Sequence, residues 1–342
     1  MKYLAVSTEA LKQAADVLCN GGLVAFPTET VYGLGADAFN PQALAKIFEV
    51  KKRPHFDPLI VHIAAVETLE DVTNLSLLNT ETKEKLFLLV EKLWPGPLSL
   101  ILPKNDKIHG IATAGLSTVA IRFPDNECAQ KLISLSTGAV AAPSANPFGA
   151  ISPTKAEHVR DGLGDKVDII LDGGCARIGL ESTVLDITGD NIKILRPGGT
   201  PKEAIEDIIG SINDNTIEDS IFIENTACGL TSPGLLKSHY APRTPLTVQK
   251  HDDIINQPYK SGFAFLFFDG FTRDIWLKTQ KPADSAIIMV LSETGQVQEA
   301  AFRLFETLHV LDNEKITHIF AQLAPQNGLG EAINDRLIRA SS

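Results

Sequence analysis

The sequence predicts a two-part α/β protein with a large first domain and a smaller second one. Its 342 residues are enough for roughly two domains of about 150 residues each. Short apolar runs alternate with helix-like patterns over residues 9–209, and the alternation resumes after residue 245. Apolar residues make up 44% of the chain and charged residues 21%, so each domain can bury an ordinary core.

Apolar periodicity and helix start and stop signals define the elements of the first part. Leu11, Ala14 and Leu18 recur at helical spacing ahead of a glycine pair, so residues 9–19 are predicted to be helical. Asn40 before a proline predicts the start of the next helix. Further strands are predicted at residues 23–26, 58–63, 98–102, 119–123, 139–142, 167–171, 183–187 and 192–195, and further helices at 80–93, 126–135, 154–162 and 201–209.

The end of the first domain is marked by a helix and a linker. Thr200 and Glu203 predict a capping box at the start of the helix 201–209. Residues 211–245 then lose the apolar periodicity and end in the proline-rich stretch SPGLLKSHYAPRTP, which is typical of a linker. The predicted domains are therefore residues 1–210, the linker 211–245, and a small three-layered α/β domain over 246–342. In the last domain strands are predicted at 261–268, 285–291 and 317–323, and helices at 295–311 and 329–340.

Charge and cysteine usage exclude several classes of protein. The net charge of -11 argues against a broad non-specific hold on nucleic acid, although one basic cleft is compatible with it. The four cysteines form no CxxC pair and no zinc spacing, so we expect reduced thiols and a cytoplasmic location. The N-terminus lacks a signal-peptide pattern, and no apolar run is long enough to span a bilayer.

Five polar segments at predicted strand ends carry the candidate chemistry. Each has a plain interpretation as a turn or a solvated helix end, and each also offers hydroxyls, amides or cations to a ligand. The segments are PTETVYGLG (27–35), KKRPHFDPLIVHI (51–63), STVAIRFP (117–124), APSANPFGAISPT (142–154), and GLESTVLD (179–186) with ILRPGG (194–199).

The charged residues in these segments leave alternatives open. Arg122 lies within an apolar strand and needs an anionic partner, which is either a protein carboxylate or the phosphate or carboxylate of a ligand. His62 is either a core residue or a ligand contact. Lys51 and Arg53 end a helix, where cations suit the helix dipole, and we expect both side chains to be exposed.

The sequence contains no P-loop, no strand-linked GxGxxG, no GxSxG elbow and no HExxH. Several cations and many hydroxyls at strand ends, without a covalent nucleophile or a metal motif, favour phosphoryl or nucleotidyl transfer by positioning and electrostatics.

The five segments, in this order and spacing, resemble the YrdC-type threonylcarbamoyl-adenylate synthases. The match is dense over residues 10–210, and SPGLLKSHYAP with GLGEAINDRL (328–337) resembles the long form of the family. The resemblance implies a twisted sheet with flanking helices and a basic cleft, a linker over the active site, and a smaller Rossmann-like three-layer α/β C-terminal domain.

The resemblance also implies roles for individual residues. Lys51 and Arg53 are expected to act electrostatically, His239 and Tyr240 to belong to a lid, and no side-chain metal ligand is expected. The family often has Asn where this chain has Asp57, and an aspartate repels triphosphate unless Mg²⁺ lies between them. The implied L-threonine contacts are Thr30, His62, Arg122 and Ser182, and the implied ATP contacts are Lys51, Arg53, Asp57, Thr118, Ser144, Asn146, Ser152 and Arg196.

The implied reaction joins ATP, L-threonine and bicarbonate into L-threonylcarbamoyl-adenylate and releases pyrophosphate, with Mg²⁺ accompanying ATP. The implied consumer is the tRNA threonylcarbamoyl transferase machinery, with no membrane partner and at most a weak RNA contact. Two alternatives stay open: a double-stranded RNA-binding module, which the net charge disfavours, and a carbamoyl transferase acting on another amine.

Overall fold

A computed structural model describes residues 1–189, 191–212, 239–283, 285–313 and 315–341. The chain divides into two compact units. The first comprises Met1–Phe148, Pro153–Arg177 and Glu181–Leu235, and the second comprises Gly149–Ser152, Ile178–Leu180 and Leu236–Ser342. Most of the predicted linker, including its SPGLL segment, lies outside the described residues.

The first unit is built on a ten-stranded mixed sheet in the order β1-β8-β2-β3-β7-β4-β6-β5-β9-β10. Parallel pairing joins β1 to β8, β8 to β2, β4 to β6 and β5 to β9, and the other neighbours are antiparallel. The strands are β1 (Lys2–Ala5), β2 (Val24–Phe26), β3 (Gly33–Asp37), β4 (Ile60–Ile63), β5 (Leu98–Pro103), β6 (Thr118–Arg122), β7 (Ala139–Ala141), β8 (Ile169–Asp172), β9 (Thr183–Asp186) and β10 (Lys193–Arg196).

The helices of this unit begin where the sequence supplies a cap. Asn40 accepts hydrogen bonds from the backbone N–H groups of Gln42 and Ala43 at 3.0 and 3.1 Å, as its position before Pro41 predicted. The helices are α1 (Thr8–Cys19), α2 (Pro41–Lys51), α3 (Leu69–Val72), α4 (Thr80–Leu93), α5 (Glu127–Leu135), α6 (Ala156–Leu163) and α7 (Lys202–Ile209), with short 3₁₀ turns at Val66–Thr68, Leu75–Leu77 and Gly164–Lys166.

The sheet buries apolar side chains on both faces. In β2, Ala25 belongs to the larger core, whereas Val24 and Phe26 belong to a second cluster that packs under α1 and α5. On the same face of the sheet as this second cluster, a small separate apolar cluster lies on β4, β6, β5 and β9. It comprises Ile60, Ala120, Ile101 and Val184.

The structure corrects some predicted elements. Thr200 does not cap α7, since its backbone N–H and carbonyl are both engaged by the Thr183 hydroxyl, and Pro201 occupies the cap position without a side-chain bond. Strands β1 and β3 were not predicted, because β1 is mostly exposed and β3 is glycine-rich, so neither shows a clear strand pattern.

The second unit contains a four-stranded, all-parallel sheet in the order β11-β14-β12-β13. Its strands are β11 (Leu246–Gln249), β12 (Phe263–Asp269), β13 (Ile287–Ser292) and β14 (His318–Gln322). Its helices are α8 (His251–Ile254), α9 (Gly270–Gln280), α10 (Val297–Leu311) and α11 (Gly330–Ala340). Helix α9 was not predicted, while three strands and the two longer helices lie close to their predicted positions. An alternating parallel sheet of this kind agrees with the Rossmann-like expectation.

Among the described residues, no helix is both long and apolar enough to cross a bilayer. Cys19, Cys128 and Cys175 are free thiols.

Candidate active site

One row of polar side chains crosses three neighbouring strands of the large sheet. Arg122, the last residue of β6, pairs in register with His62 of β4 on one side and with Ser99 of β5 on the other. Residues paired across strands project from the same face, so these three side chains lie side by side. All three are buried, which places a polar row beside the small apolar cluster of that face.

Arg122 is held by the loop between β2 and β3. Its Nη2 donates to Glu29 Oε1 at 2.7 Å and to Thr30 Oγ1 at 2.8 Å, and Arg122 and Glu29 are 4% and 1% exposed. Thr28 Oγ1 donates to the Val31 carbonyl at 2.6 Å and lies 2.7 Å from Thr30 Oγ1, which fixes the loop. The anionic partner that the sequence demanded is thus a protein carboxylate, Glu29.

His62 is a neutral imidazole in this environment. Burial, and then the neighbouring Arg122 cation, lower the pKa of His62 to about 3. Its Nδ1 lies 3.2 Å from the Ile60 carbonyl, and hydrogen bonds with the Ile60 and Val140 backbone act to raise the pKa but do not offset the effect of burial. A neutral histidine suits contact with an uncharged hydroxyl group.

Lys51 ends α2, and its side chain reaches into the loop that contains Pro-Ser-Ala-Asn at residues 143–146, which we call the PSAN loop. Its Nζ donates to the Ser144 carbonyl at 2.6 Å and to the Asn146 carbonyl, with Asn146 Oδ1 at 3.4 Å. The Phe148 N–H returns a bond to the Lys51 carbonyl, so the loop is fastened to the helix end at several points. Burial, and then the nearby Arg53 cation, lower the pKa of Lys51 well below its ordinary value.

Arg53 and Asp57 form a buried ion pair beside Lys51. Arg53 Nη2 lies 2.8 Å from Asp57 Oδ1 and 2.8 Å from the Pro58 carbonyl, and Arg53 Nε donates to the Asp57 carbonyl at 3.1 Å. Burial raises the pKa of Asp57, against the opposing effect of Arg53, Lys51 and Arg196. Asp57 Oδ2 has no hydrogen-bond partner among the described residues.

Arg196 connects this cationic group to the polar row. Its Nη2 donates to the Ser182 carbonyl at 2.8 Å and lies 3.2 Å from Ser182 Oγ, which is itself 2.8 Å from Ser99 Oγ. A register shift in β10 just before Arg196 turns its side chain toward β9. Gly198 permits this arrangement, because a Cβ there would lie 2.4 Å from the Glu181 carbonyl oxygen.

The predicted site residues are not all brought together. Lys51, Arg53, Asp57, Ser144, Asn146, Ser182 and Arg196 form one connected group, and Thr30, His62 and Arg122 form a second, joined to it through Ser99. Thr118 lies at the opposite end of β6 from Arg122.

Three other predicted residues belong to the second unit. Ser152 accepts a bond from His309 Nε2 at its carbonyl, at 3.1 Å. Tyr240 is buried, with its ring centroid 5.7 Å from that of Phe305 and 5.0 Å from the guanidinium carbon of Arg336. The ring of His239 lies 4.1 Å from that of Tyr240.

The structure corrects one expectation and adds two residues. Lys51 and Arg53 were expected to be exposed, but they are 2% and 6% exposed, because the PSAN loop and the segment after α2 enclose them. Neither Glu29, which lies inside PTETVYGLG, nor Ser99 was among the predicted site residues. The sequence does offer one signal for Glu29, because it is a carboxylate within a candidate segment and Arg122 needs an anionic partner. Nothing in the local sequence marks Ser99 as a site residue.

The arrangement concentrates buried basic side chains around Asp57. The charges of Arg53, Lys51 and Arg196 all act to lower the pKa of Asp57, so three basic side chains stand against one acidic side chain, which favours anionic ligands. The site can therefore bind and orient polyanions. Within the described ranges, no group of three or more His, Cys, Asp or Glu side chains is placed to hold a metal ion.

Comparison with known proteins gives a consistent result. A Sua5/YciO/YrdC family model, described as telomere recombination, matches residues 16–198, and a model of the threonylcarbamoyl-AMP synthase C-terminal domain matches residues 200–342. Threonylcarbamoyl-AMP synthases of Pyrococcus abyssi and Bacillus subtilis are each 40% identical to the chain, covering 97% and 99% of it and 94% of each relative. The Schizosaccharomyces pombe synthase is 33% identical over 97% of the chain and 88% of its own length.

Solved structures agree with the sequence relatives. The structure of P. abyssi Sua5 complexed with L-threonine matches with a TM-score of 0.83 at 36% identity, covering 99% of this chain and 97% of the other. A P. abyssi Sua5 variant with a histidine and a tyrosine replaced by alanine matches with a TM-score of 0.84 at 35% identity, covering 100% and 96%.

Proposed function

The chain belongs to the threonylcarbamoyl-AMP synthase family, and we propose that it makes L-threonylcarbamoyl-adenylate from ATP, L-threonine and bicarbonate. Pyrophosphate leaves, and the product supplies the threonylcarbamoyl group for modification of adenosine in tRNA. The observation that carries this proposal is the connected site, in which a cationic group for polyphosphate adjoins a polar row for a small amino acid. The protein is accordingly a nucleotidyltransferase of tRNA processing.

On the nucleotide side, the proposal assigns phosphate binding to Lys51, Arg53 and Arg196. The carbamate oxygen attacks the α-phosphorus, and negative charge develops on the leaving pyrophosphate. Basic side chains held in place in a buried site stabilise that charge with little reorganisation during the step, and Lys51, whose pKa is lowered in the free protein, is charged once triphosphate is bound. Ser144 and Asn146, whose carbonyls hold Lys51, are proposed to border the nucleotide, together with Thr118 and Ser152.

On the amino-acid side, Thr30, His62, Arg122 and Ser182 are proposed to contact L-threonine. Arg122 supplies the charge for the threonine carboxylate. The neutral ring of His62 and the hydroxyl of Thr30 suit the hydroxyl of the substrate. Ser182 lies between Arg122's neighbour Ser99 and Arg196, where carbamate and triphosphate would meet.

Mg²⁺ is proposed to accompany the triphosphate. Mg²⁺ keeps most of its ligands as water and phosphate oxygen, so a dedicated protein cage is not required. Asp57 Oδ2, which lacks a hydrogen-bond partner in the part of the chain that the structure describes, fits as one oxygen ligand, and a metal ion there would also relieve repulsion between Asp57 and the phosphates. The chemistry that Mg²⁺ would supply there, with Asp57 as a ligand, is partial neutralisation of the negative charge of the phosphates. Omitting Mg²⁺ from the assay below checks this assignment, and undiminished activity without any divalent ion would exclude it.

The reaction is tested by pyrophosphate release from the purified protein. With ATP, Mg²⁺, bicarbonate and L-threonine, we expect pyrophosphate and an adenylate in equal amounts, detected by mass spectrometry. Leaving out threonine or bicarbonate should reduce release to background, because the attacking carbamate cannot form. Equal activity without either one contradicts the proposal.

The linker is proposed to act as a lid that shields the labile product from water. Amide hydrogen exchange should show protection of residues 232–242 on addition of ATP with threonine. Replacing 232–242 by a Gly/Ser chain of equal length should lower activity while both units stay folded. Unchanged exchange with both substrates bound would leave the linker, including His239 and Tyr240, as a tether only.

We also propose that the enzyme works in the cytoplasm and passes its product to the tRNA threonylcarbamoyl transferase machinery. An adenylated carbamate is a mixed anhydride that hydrolyses readily, which favours prompt transfer. Co-purification of the transferase with the tagged protein under native conditions tests direct contact, and its absence after crosslinking would argue for free diffusion.

A further inference from the structure

Glu29 carries a feature that holding Arg122 in place does not require. One carboxylate oxygen accepts from Arg122 Nη2 at 2.7 Å, whereas the other, Oε2, is buried without a hydrogen-bond partner among the described residues. Arg122 Nε is likewise buried and has no hydrogen-bond partner among the described residues. Buried polar atoms are rarely left unpaired, because each one has lost its hydrogen bonds to water without gaining a partner.

The two unpaired atoms belong to the two members of one ion pair. One is a donor on a cation and the other is an acceptor on an anion, so a single ligand that pairs with both must carry a negative and a positive group. A free phosphate would satisfy the donor and repel the acceptor. A zwitterion with adjacent carboxylate and ammonium groups satisfies both, and an α-amino acid is such a zwitterion.

We propose that Glu29 is a catalytic residue that binds the ammonium group of L-threonine and takes up its proton. This inference rests on the proposed function, which supplies threonine as the amino acid and bicarbonate as the acceptor of the amine. Arg122 binds the threonine carboxylate, and Glu29 Oε2 accepts from the ammonium beside it. The pair thereby fixes the orientation of the amine toward bicarbonate.

Glu29 also solves the proton balance of carbamate formation. The nitrogen of threonine must lose a proton before its lone pair can form the N–C bond. In full, R–NH₃⁺, HCO₃⁻ and the Glu29 carboxylate give R–NH–COO⁻, H₂O and the Glu29 carboxylic acid. The N–C bond forms, a C–O bond of bicarbonate breaks, and the oxygen leaves as water. Glu29 suits the role of proton acceptor because it is the carboxylate in contact with Arg122, which binds the threonine carboxylate. His62 suits it less, because burial and the same Arg122 cation disfavour its protonated form.

The test compares two ligands and a near-isosteric variant by titration calorimetry. 3-Hydroxybutanoate has the carbon skeleton, hydroxyl and carboxylate of threonine but no amino group. Glu29→Gln should weaken L-threonine binding by about 10–100-fold, as loss of a charged hydrogen bond predicts, and leave 3-hydroxybutanoate within about twofold of the wild type. Glu29→Asp keeps the charge on a shorter side chain and should retain part of the preference for threonine.

Other outcomes overturn the inference. If Glu29→Gln weakens both ligands equally, Glu29 only positions Arg122, and if it weakens neither, Glu29 does not touch the amine. ATP binding serves as the folding control. If Glu29→Gln does not fold, Glu29→Asp replaces it. Equal weakening of L-threonine and 3-hydroxybutanoate binding by Glu29→Asp would then overturn the inference. If the wild-type protein binds threonine in a Glu29-dependent way but releases no pyrophosphate, the proposed function fails while Glu29's recognition of the ammonium stands.

Discussion

L-Valine is expected to be used with a kcat/KM about 10⁴-fold or more below that of L-threonine, because a site built for a hydroxyl rejects an analogue that lacks it. Thr30 is fully buried, and its hydroxyl already donates to Thr28 and accepts from Arg122. One acceptor lone pair of Thr30 Oγ1 remains for the substrate hydroxyl. With valine bound, a methyl group would take the place of the substrate hydroxyl, and the Thr30 lone pair would be left without a hydrogen bond.

L-Serine provides the matched comparison, since it keeps the hydroxyl and lacks only the methyl group. Discrimination against serine should be about 10–200-fold, the range for one missing methyl in an apolar pocket. Initial rates of pyrophosphate release, measured with each amino acid at subsaturating concentration, give the ratios. Thr30→Val should narrow the gap between threonine and valine, whereas Thr30→Ser should preserve it. Similar kcat/KM values for threonine and valine in the wild type would show that no polar contact reads the hydroxyl.

Lys51→Met is expected to lower kcat/KM by about 10²-fold or more, the usual effect of removing one preorganised electrostatic contact. Arg53→Ala should have an effect of the same size. Methionine keeps the apolar length of the lysine side chain, but it leaves the Ser144 and Asn146 carbonyls without their donor. Because Lys51 is buried, a loss of stability of about 1–3 kcal/mol per orphaned carbonyl is also expected and must be measured by thermal unfolding.

The adjacent Lys52 supplies the control for Lys51. Lys52→Met removes the same charge one residue away, at an exposed position, and should leave turnover close to that of the wild type. A second measurement uses the lowered pKa of Lys51. Burial favours the neutral amine in the free enzyme and bound triphosphate favours the ammonium, so ATP binding should take up a proton above that lowered pKa. Equal turnover in the Lys51 and Lys52 variants would remove Lys51 from the site.

Much of the fold is written locally in the sequence. Leu11, Ala14 and Leu18 all face the core from α1, and α4 has the bounds that its apolar spacing predicted. Such patterns identify an element because helix and strand periodicities depend only on neighbouring residues. Local patterns did not predict the glycine-rich strand β3. They also predicted wrongly that Thr200 caps a helix, since the backbone of Thr200 is hydrogen-bonded to the hydroxyl of the distant Thr183.

The candidate site was predicted in its residue types but not in its connections. The sequence by itself determined that Arg122 lies in an apolar strand and needs an anion, and that Lys51 and Arg53 lie at the end of a helix, next to a proline-bracketed loop. Only the tertiary structure decided that Glu29 is that anion, that the loop buries both cations, and that Ser152 belongs to the second unit. The physical reason is that β6 lies between β4 and β5, so a row of side chains far apart in sequence is set by strand order, which no local pattern encodes.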